Sequence, residues 1–139
     1  MDIVVLGAGL VGGAIAKDLA IDPGMQITSV DLDVGLLTKL TASSNIDSIQ
    51  IDLRKDGAVE STVSRCDLVV SAVPGFMGFE TLRRVIEAGK NIVDISFFGE
   101  DPFELDELAK AKGVTAVVDC GVAPGLSNII AGRIHKLLD

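Results

Sequence analysis

The residues best suited to chemistry form a glycine-rich turn near the start of the chain, followed by an acidic residue. Gly7, Gly9 and Gly12 come directly after an apolar, strand-like segment, and Asp31 stands nineteen positions beyond Gly12. The first glycine permits a sharp turn, the second leaves room for a pyrophosphate, and the third lets a helix lie close to the strand. The N-terminus of that helix offers unpaired N–H groups and a partial positive charge. The pattern predicts a bound adenine dinucleotide; the alternative is a tight turn with no ligand.

The carboxylate of Asp31 bears on which dinucleotide binds. An ionised Asp after the second strand accepts hydrogen bonds from ribose hydroxyls, whereas a 2′-phosphate there would bring two like charges together. No Arg or Lys adjoins Asp31, and the nearest downstream base is Lys39. NAD is therefore the predicted cofactor, and NADP is less favoured. Asp33 is an alternative ribose ligand, but its position better suits the N-cap of a helix that begins at Val34.

Other cofactor contacts are expected from the loops at the carboxyl ends of the strands, where this class of sheet binds its ligands. Asp52 and Leu53 are expected beside the adenine, and the loop that begins at Val73 is expected over the nicotinamide half. For both loops the alternative is an ordinary connection without a ligand. The predicted cofactor-binding residues are Gly7, Gly9, Leu10, Val11, Gly12, Asp31, Asp52, Leu53, Ala72, Val73 and Pro74.

Polar residues after the fifth and sixth strands are the candidates for binding a substrate. They are Asp94, Ser96, Asp119 and Cys120. Asp119 has an alternative role as a strand-end residue bonded to turn amides. Cys120 is better interpreted as a small packed residue than as a nucleophile, since no His stands near it in the sequence. Because a nicotinamide cofactor supplies the chemistry of hydride transfer, no catalytic residue is assigned, and no metal site is predicted.

Composition narrows the class of protein. A chain of 139 residues suits one domain, and its net charge of −8 and lack of Trp and Tyr argue against a nucleic-acid partner. No apolar run approaches the roughly twenty residues that cross a membrane. The two cysteines form neither a disulfide framework nor a metal cluster. We therefore expect a cytoplasmic protein with no membrane partner and a small-molecule substrate.

The elements that must position these residues alternate between strand and helix. Apolar segments at about 3–6, 26–30, 48–51, 68–72, 91–95 and 114–118 predict strands, with helices at about 10–20, 34–40, 57–65 and 78–88 and another after Asp101. Asp56 is the predicted N-cap of the third helix, and Asp101, followed by Pro102 and Glu104, is that of the fifth. The alternation predicts an α/β fold, a Rossmann-type doubly wound parallel sheet of six strands with helices on both faces.

The last segment predicts an apolar helix face after Pro124-Gly125. The face comprises Leu126, Ile129, Ile130, Ile134, Leu137 and Leu138. One interpretation is that this helix docks on the edge of the sheet. The other is that it leads into a catalytic and oligomerising domain, so that residues 1–139 are the cofactor domain of a longer dehydrogenase. His135, on the same helix, is interpreted as a surface or interface residue.

Three segments together resemble the saccharopine dehydrogenase family. They are residues 6–12, residues 67–74 and the loop Gly121-Val122-Ala123-Pro124-Gly125. The chain is most similar to the lysine 6-dehydrogenase-like and carboxynorspermidine synthase-like branches, in their N-terminal cofactor domain alone. The resemblance implies an NAD(P)-dependent oxidoreductase of amino-acid metabolism. It would act at the C–N bond of an amino acid or of a saccharopine-like amine, and the full-length protein would be a homodimer.

One departure from the family and one rival function qualify this resemblance. Saccharopine-forming reductases carry an acidic residue where this chain has Ala123, which favours a lysine-type substrate over saccharopine. Without a second domain, the chain alone is expected to bind cofactor and turn over nothing. The alternative function is a non-enzymatic NAD-binding regulator of potassium uptake, which would share the glycine turn and Asp31 but not the 121–125 loop.

Overall fold

A computed structural model describes residues Met1–Leu138 as one α/β unit. Its strands are β1 (Asp2–Leu6), β2 (Gln26–Asp31), β3 (Asp47–Gln50), β4 (Leu68–Ser71), β5 (Asn91–Asp94) and β6 (Ala116–Val117). Its helices are α1 (Leu10–Leu19), α2 (Val34–Thr41), α3 (Ala58–Val63), α4 (Gly78–Glu87), α5 (Asp106–Lys112) and α6 (Leu126–Leu138). Short 3-10 turns at Gly75–Met77 and Pro102–Leu105 precede α4 and α5. No helix within Met1–Leu138 has the length and apolar character to span a membrane.

The six strands pair in parallel in the order β3-β2-β1-β4-β5-β6. The order reverses between β1 and β4, which are the two central strands. In register, Leu6 of β1 faces Val30 of β2 on one side and Ser71 of β4 on the other. The carboxyl ends of these strands therefore meet at one edge of the sheet, where such folds bind ligands.

Helices cover both faces of the sheet, and each face has its own core. One core joins α3 and α4 to the sheet through Val59, Val63, Leu82 and Val85, all no more than 1% exposed. The other packs α1 and α2 against Ile3, Val5 and Ile27, which is why Ala16 and Leu37 are buried. Burial of this kind stabilises a fold by about 25 cal/mol per Å² of apolar surface. Packed side chains therefore support the sheet, and with it the ligand edge, on both faces.

The predicted fold class is confirmed, and most elements lie where the sequence places them. Asp33 caps α2, accepting hydrogen bonds from the N–H groups of Gly35 (2.7 Å) and Leu36 (3.3 Å). Asp101 accepts from the N–H of Phe103 at 2.9 Å, although the segment it caps begins as a 3-10 turn.

Two local predictions are wrong, and one of two interpretations of the last helix is excluded. Helix α3 begins only at Ala58, and its N-cap is Gly57 at φ +73°, not Asp56. Strand β6 has two residues rather than five, since only Ala116 and Val117 pair with β5. Helix α6 starts at the expected residue, and of its two interpretations the structure contradicts docking on the sheet edge, since no residue of Leu126–Leu138 is buried.

Candidate functional site

The glycine turn has a shape that side chains would prevent. Gly7 follows β1 at φ +100°, and its N–H donates to the carbonyl oxygen of Val30 at 2.7 Å. A Cβ on Gly7 would lie 2.6 Å from the carbonyl oxygen of Ala72, and a Cβ on Gly12 would lie 2.0 Å from that of Gly7. Such contacts are far inside van der Waals distance. The turn is thus closed against the end of β4, and α1 lies tightly against the turn.

Gly9, in contrast, faces open space. It is the N-cap of α1, and an added Cβ would meet no atom within 4 Å. The first N–H of the helix to bond back is that of Gly13, to the Gly9 carbonyl at 2.8 Å. The earlier N–H groups of the first turn therefore remain available to an anion. Leu10 and Val11, at the same end, are 98% and 57% exposed.

Asp31 lies beside this turn and is bonded to it. One carboxylate oxygen accepts from the N–H of Ala8 at 2.7 Å, and the other accepts from the N–H of Asp33 at 2.9 Å. A carboxylate has about four acceptor positions, so both oxygens keep capacity for ribose hydroxyls. The sequence predicted the position of Asp31 but not its bond to the glycine turn.

A cavity of about 280 Å³ adjoins Asp31 at the carboxyl ends of β1, β2 and β3. It is lined by Gly7, Val30, Asp31, Leu32, Ile51, Asp52, Leu53, Arg54, Val73, Pro74, Phe76 and Met77. The predicted residues Asp52, Leu53, Val73 and Pro74 therefore meet Asp31 and Gly7 in one place. A larger cavity, of about 600 Å³, includes Asp2, Gln26 and Arg65 and lies at the amino ends of the strands, away from the glycine turn.

The sequence did not single out two arginines that act at this site: Arg54 lines the cavity, and Arg84 holds the loop that carries Arg54. Arg54 pairs with Asp52 through two 2.8 Å hydrogen bonds, and this pairing lowers the pKa of Asp52 to about 2. Arg84 of α4 is 9% exposed and pairs with Glu60 of α3 at 2.9 Å. Its guanidinium also donates to the carbonyl oxygens of Leu53 (3.4 Å) and Lys55 (3.2 Å). Arg84 thereby fixes the loop after β3.

The loop after β4 packs against the loop after β5. Val73 is buried and Pro74 is exposed, while Ala72 is intermediate. A Cβ on Gly75 would lie 1.9 Å from the carbonyl oxygen of Phe97, and one on Gly78 would lie 2.3 Å from the Ser96 hydroxyl. Small residues here let the two loops touch, so that they form one surface next to the glycine turn.

Asp94 and Ser96, two of the predicted substrate residues, lie beneath this surface. Asp94 has no exposed area, and Ser96 is 8% exposed. One Asp94 oxygen accepts from the backbone N–H of Ser96 at 2.7 Å and from its hydroxyl at 2.5 Å, while the other oxygen is buried without a partner among the described residues. Burial raises the pKa of Asp94 above its ordinary value. These contacts give Asp94 a positioning role in the loop, and its contact with a substrate stays a prediction.

Asp119 and Cys120, the other two, lie at the surface after β6. Asp119 has φ +60°, and the N–H of Cys120 donates to the Asp94 carbonyl oxygen at 3.4 Å. Cys120 is exposed, so the interpretation of it as a packed residue is wrong. Neither residue lines the cavity beside Asp31. The predicted residues therefore form two groups, one around Asp31 and one around Asp94.

Fold and site together define a dinucleotide-binding domain: a Rossmann-type sheet with a glycine turn, an open helix N-terminus and an acidic residue at the end of β2. The family model described as the saccharopine dehydrogenase NADP binding domain matches residues 3–117. The chain belongs to this family, as its three motif segments predicted. The narrower likeness to the lysine 6-dehydrogenase-like branch stays a prediction.

Two curated relatives and one solved structure illustrate the relationship. The chain is 28% identical over 130 residues to the saccharopine dehydrogenase (NADP+, L-glutamate-forming) of Pyricularia oryzae, covering 93% of this chain and 29% of that protein. It is 28% identical over 130 residues to the mitochondrial alpha-aminoadipic semialdehyde synthase of Mus musculus, covering 93% and 14%. Apo saccharopine dehydrogenase (L-Glu forming) from Saccharomyces cerevisiae shares its fold, with a TM-score of 0.86 at 21% identity over 96% of this chain and 30% of that one.

The chain thus spans less than a third of the length of these relatives. The relatives give no support to the alternative of a potassium-uptake regulator.

Proposed function

We propose that this chain is the dinucleotide-binding domain of an oxidoreductase that acts on the C–N bond of an amino acid such as lysine, or of a saccharopine-like amine. The observation that carries the proposal is the joined site in which the glycine turn leaves Gly9 open while Ala8 binds the Asp31 carboxylate. The pyrophosphate would lie on the N-terminus of α1, and the adenosine ribose would lie at Asp31. The dinucleotide, when bound, accepts or supplies the hydride.

The residues of this chain position the cofactor. The open N–H groups of α1 bind the phosphates, and the exposed Leu10 and Val11 lie next to them. The loop from Ala72 to Pro74 borders the nicotinamide half, because it follows β4 where the strand order reverses. The packed contact between Gly75 and the Phe97 carbonyl fixes that loop. Asp119 and Cys120 are the exposed groups available to a substrate on the same edge of the sheet.

We further propose that NAD is preferred to NADP, although the family takes its name from NADP. Asp31 and Asp52 both line the cavity beside the ribose position, and Arg54, the one basic residue that lines it, is paired with Asp52. A 2′-phosphate would meet the Asp31 carboxylate there and be repelled. The cytoplasmic location and the homodimeric full-length protein stay predictions.

The test is a thermal-shift titration of the chain with NADH and NADPH. A ligand at about a hundred times its Kd adds roughly 2.7 kcal/mol to stability, which is several degrees at this size. We expect a larger shift with NADH. Gly9→Ala should abolish the shift without loss of folding, because its Cβ meets open space at an ordinary φ of −65°. Gly132→Ala is the matched control, since that Cβ also meets nothing within 4 Å.

Two results would contradict these proposals. If neither NADH nor NADPH raises the melting temperature, the proposal that this chain binds a dinucleotide is wrong. We also expect no turnover of lysine or saccharopine by this chain alone, because most of the substrate contacts would come from outside it. Lysine-dependent NADH formation by the isolated chain would show that this part of the proposal is wrong.

A further inference from the structure

The ion pair between Asp52 and Arg54 forms part of the wall of the cavity beside Asp31. The Nε and Nη2 atoms of Arg54 each donate to a different Asp52 oxygen at 2.8 Å, so the guanidinium and the carboxylate form a two-point pair. Two parallel bonds of this kind hold the groups nearly coplanar. The Arg54 side chain is 61% exposed and that of Asp52 is 19% exposed. A flat, exposed guanidinium therefore borders a cavity that is otherwise largely apolar.

The backbone beneath this pair is fixed. The N–H of Arg54 donates to Asp52 at 3.1 Å, and the neighbouring Leu53 is 7% exposed. Arg84 of α4 donates to the carbonyl oxygens on either side of Arg54, those of Leu53 and Lys55. The loop cannot move away from the cavity without breaking bonds to a buried guanidinium. The backbone that carries Arg54 is thus held next to the cavity.

The pairing also decides what Arg54 can bind. Asp52 occupies the edge formed by Nε and Nη2, which is one of the two N–H forks through which an arginine can bind a phosphate. Asp52 is ionised at neutral pH, as an ordinary carboxylic acid is, and its hydrogen bonds to Arg54 lower its pKa further, to about 2. The faces of the guanidinium plane, in contrast, are not used by these bonds. A planar ring can stack on such a face while the edge remains paired.

Building on the proposed function, we propose that Arg54, held flat by Asp52, stacks on the adenine ring of the bound dinucleotide. Asp52 also acts with Asp31 to select NAD, because it occupies the Nε/Nη2 fork of Arg54 and places a second carboxylate in the same cavity wall, which disfavours a 2′-phosphate. Asp52 and Leu53 were predicted beside the adenine from their place after β3. Arg54 is the added specificity residue, and it follows from the ion pair and from the loop that Arg84 fixes.

The test compares Kd values for NADH, NADPH and AMP among the wild-type chain, Arg54→Ala, Arg54→Lys and Asp52→Asn. Arg54→Ala should weaken all three ligands by a similar factor of about three- to thirty-fold, as expected for a lost cation–π contact. Arg54→Lys keeps the charge but loses the plane, so it should show most of the same loss. Asp52→Asn keeps the side-chain oxygen near the Arg54 N–H but frees the fork. It should raise the affinity for NADPH relative to NADH by about tenfold.

Arg65→Ala is the matched control, since Arg65 is exposed and lines the cavity at the opposite edge of the sheet. An unchanged NADH affinity in Arg54→Ala would overturn the stacking, and a loss confined to NADPH would show that Arg54 is a phosphate ligand instead. An unchanged NADH/NADPH ratio in Asp52→Asn would overturn the selective role of Asp52. If the wild-type chain binds none of the ligands, the proposed function itself fails. If the wild type binds and the variants behave like it, this inference alone fails.

Discussion

The Asp31 carboxylate has two roles: it binds the backbone of the glycine turn, and it lines the cavity next to that turn. It accepts the N–H of Ala8, which holds the glycine turn, and it borders the cavity that we assign to the adenosine half of a dinucleotide. Stability and cofactor choice therefore depend on the same side chain, and a substitution there changes both.

Asp31→Ser should narrow the preference for NADH over NADPH by about tenfold, which corresponds to roughly 1.4 kcal/mol. It should also lower the free energy of unfolding by about 1 kcal/mol, because the Ala8 N–H loses a charged acceptor. Paired Kd measurements and denaturant unfolding check both effects. Asp33→Ser is the control: it removes the same charge two residues away, and Ser is a good N-cap for α2. A shifted cofactor ratio in the control would contradict the assignment to Asp31.

Asp94 predicts a dependence of stability on pH. Burial raises its pKa in the folded protein, so its ionisation opposes folding, and the stability it contributes at low pH is lost as pH rises through the folded pKa. Asn cannot ionise and has the unpaired Ser71 hydroxyl as an acceptor nearby, since Ser71 faces Asp94 in register. The stability of Asp94→Asn relative to the wild type should therefore fall as pH is lowered from 7 towards 4.

Urea unfolding at a series of pH values measures this difference directly. Asp18→Asn, at an exposed position of α1, controls for the change in net charge and should show a flatter difference over the same range. Equal slopes for the two variants would show that the Asp94 carboxylate is not held in its buried position.

Among the elements, α4 has the widest influence on the site. It packs on the sheet through Leu82 and Val85, and its Arg84 binds α3 and the loop after β3. Its other arginine, Arg83, forms its ion pairs among the described residues within the helix, with Glu80 and Glu87. Of these two adjacent arginines, Arg84 therefore connects α4 to other elements, whereas Arg83 forms ion pairs within α4.

Arg84→Met should lower the free energy of unfolding by about 2 kcal/mol, since it leaves Glu60 and two carbonyl groups without their partner. It should also weaken NADH binding, because the loop that carries Asp52 and Arg54 loosens. Chemical unfolding and a binding titration measure these effects. Arg83→Met, which removes a half-buried arginine of the same helix whose ion pairs are with its own helix, should cost less than about 1 kcal/mol and leave binding unchanged. Similar losses in both variants would contradict the role of Arg84.

At this scale the sequence predicted the strands and helices well, because each apolar run and each cap acts locally. Its two errors have different origins. The Asp56-Gly57 pair is typical of a turn through positive φ at the glycine, so the later start of α3 follows from a local signal that competes with an N-cap at Asp56. Nothing near residue 114, in contrast, indicates that β6 has only two paired residues. In the site, Gly7 and Asp31 follow a known spacing. Arg54 and Arg84 act through partners that only the folded chain brings to them.

For the molecule as a whole, stability is unevenly distributed. β1 and β4 lie between two cores, whereas α6 buries none of its residues from Leu126 to Leu138, and its apolar residues are 48% to 81% exposed. Helices of this length are marginal in water without packing. The apolar face predicted from the sequence is therefore present but is not covered by the sheet.

Amide hydrogen exchange should show this contrast. Amides of α6 should exchange through local opening, while those of β1 and β4 should exchange only with global unfolding, and their protection should differ by several orders of magnitude. Adding NADH should increase protection in β1 and in the first turn of α1 but not in α6. Equally slow exchange in α6 and β1 would show that α6 is packed in solution.

The clash that fixes Gly7 has a genetic consequence. The atom in the way of a Cβ at position 7 is the carbonyl oxygen of Ala72, which is part of the backbone. Every amino acid carries that oxygen, so no exchange of side chain at position 72 creates room. In a selection for second-site suppressors, a variant of Gly7 should yield true revertants to glycine and no compensating change at position 72.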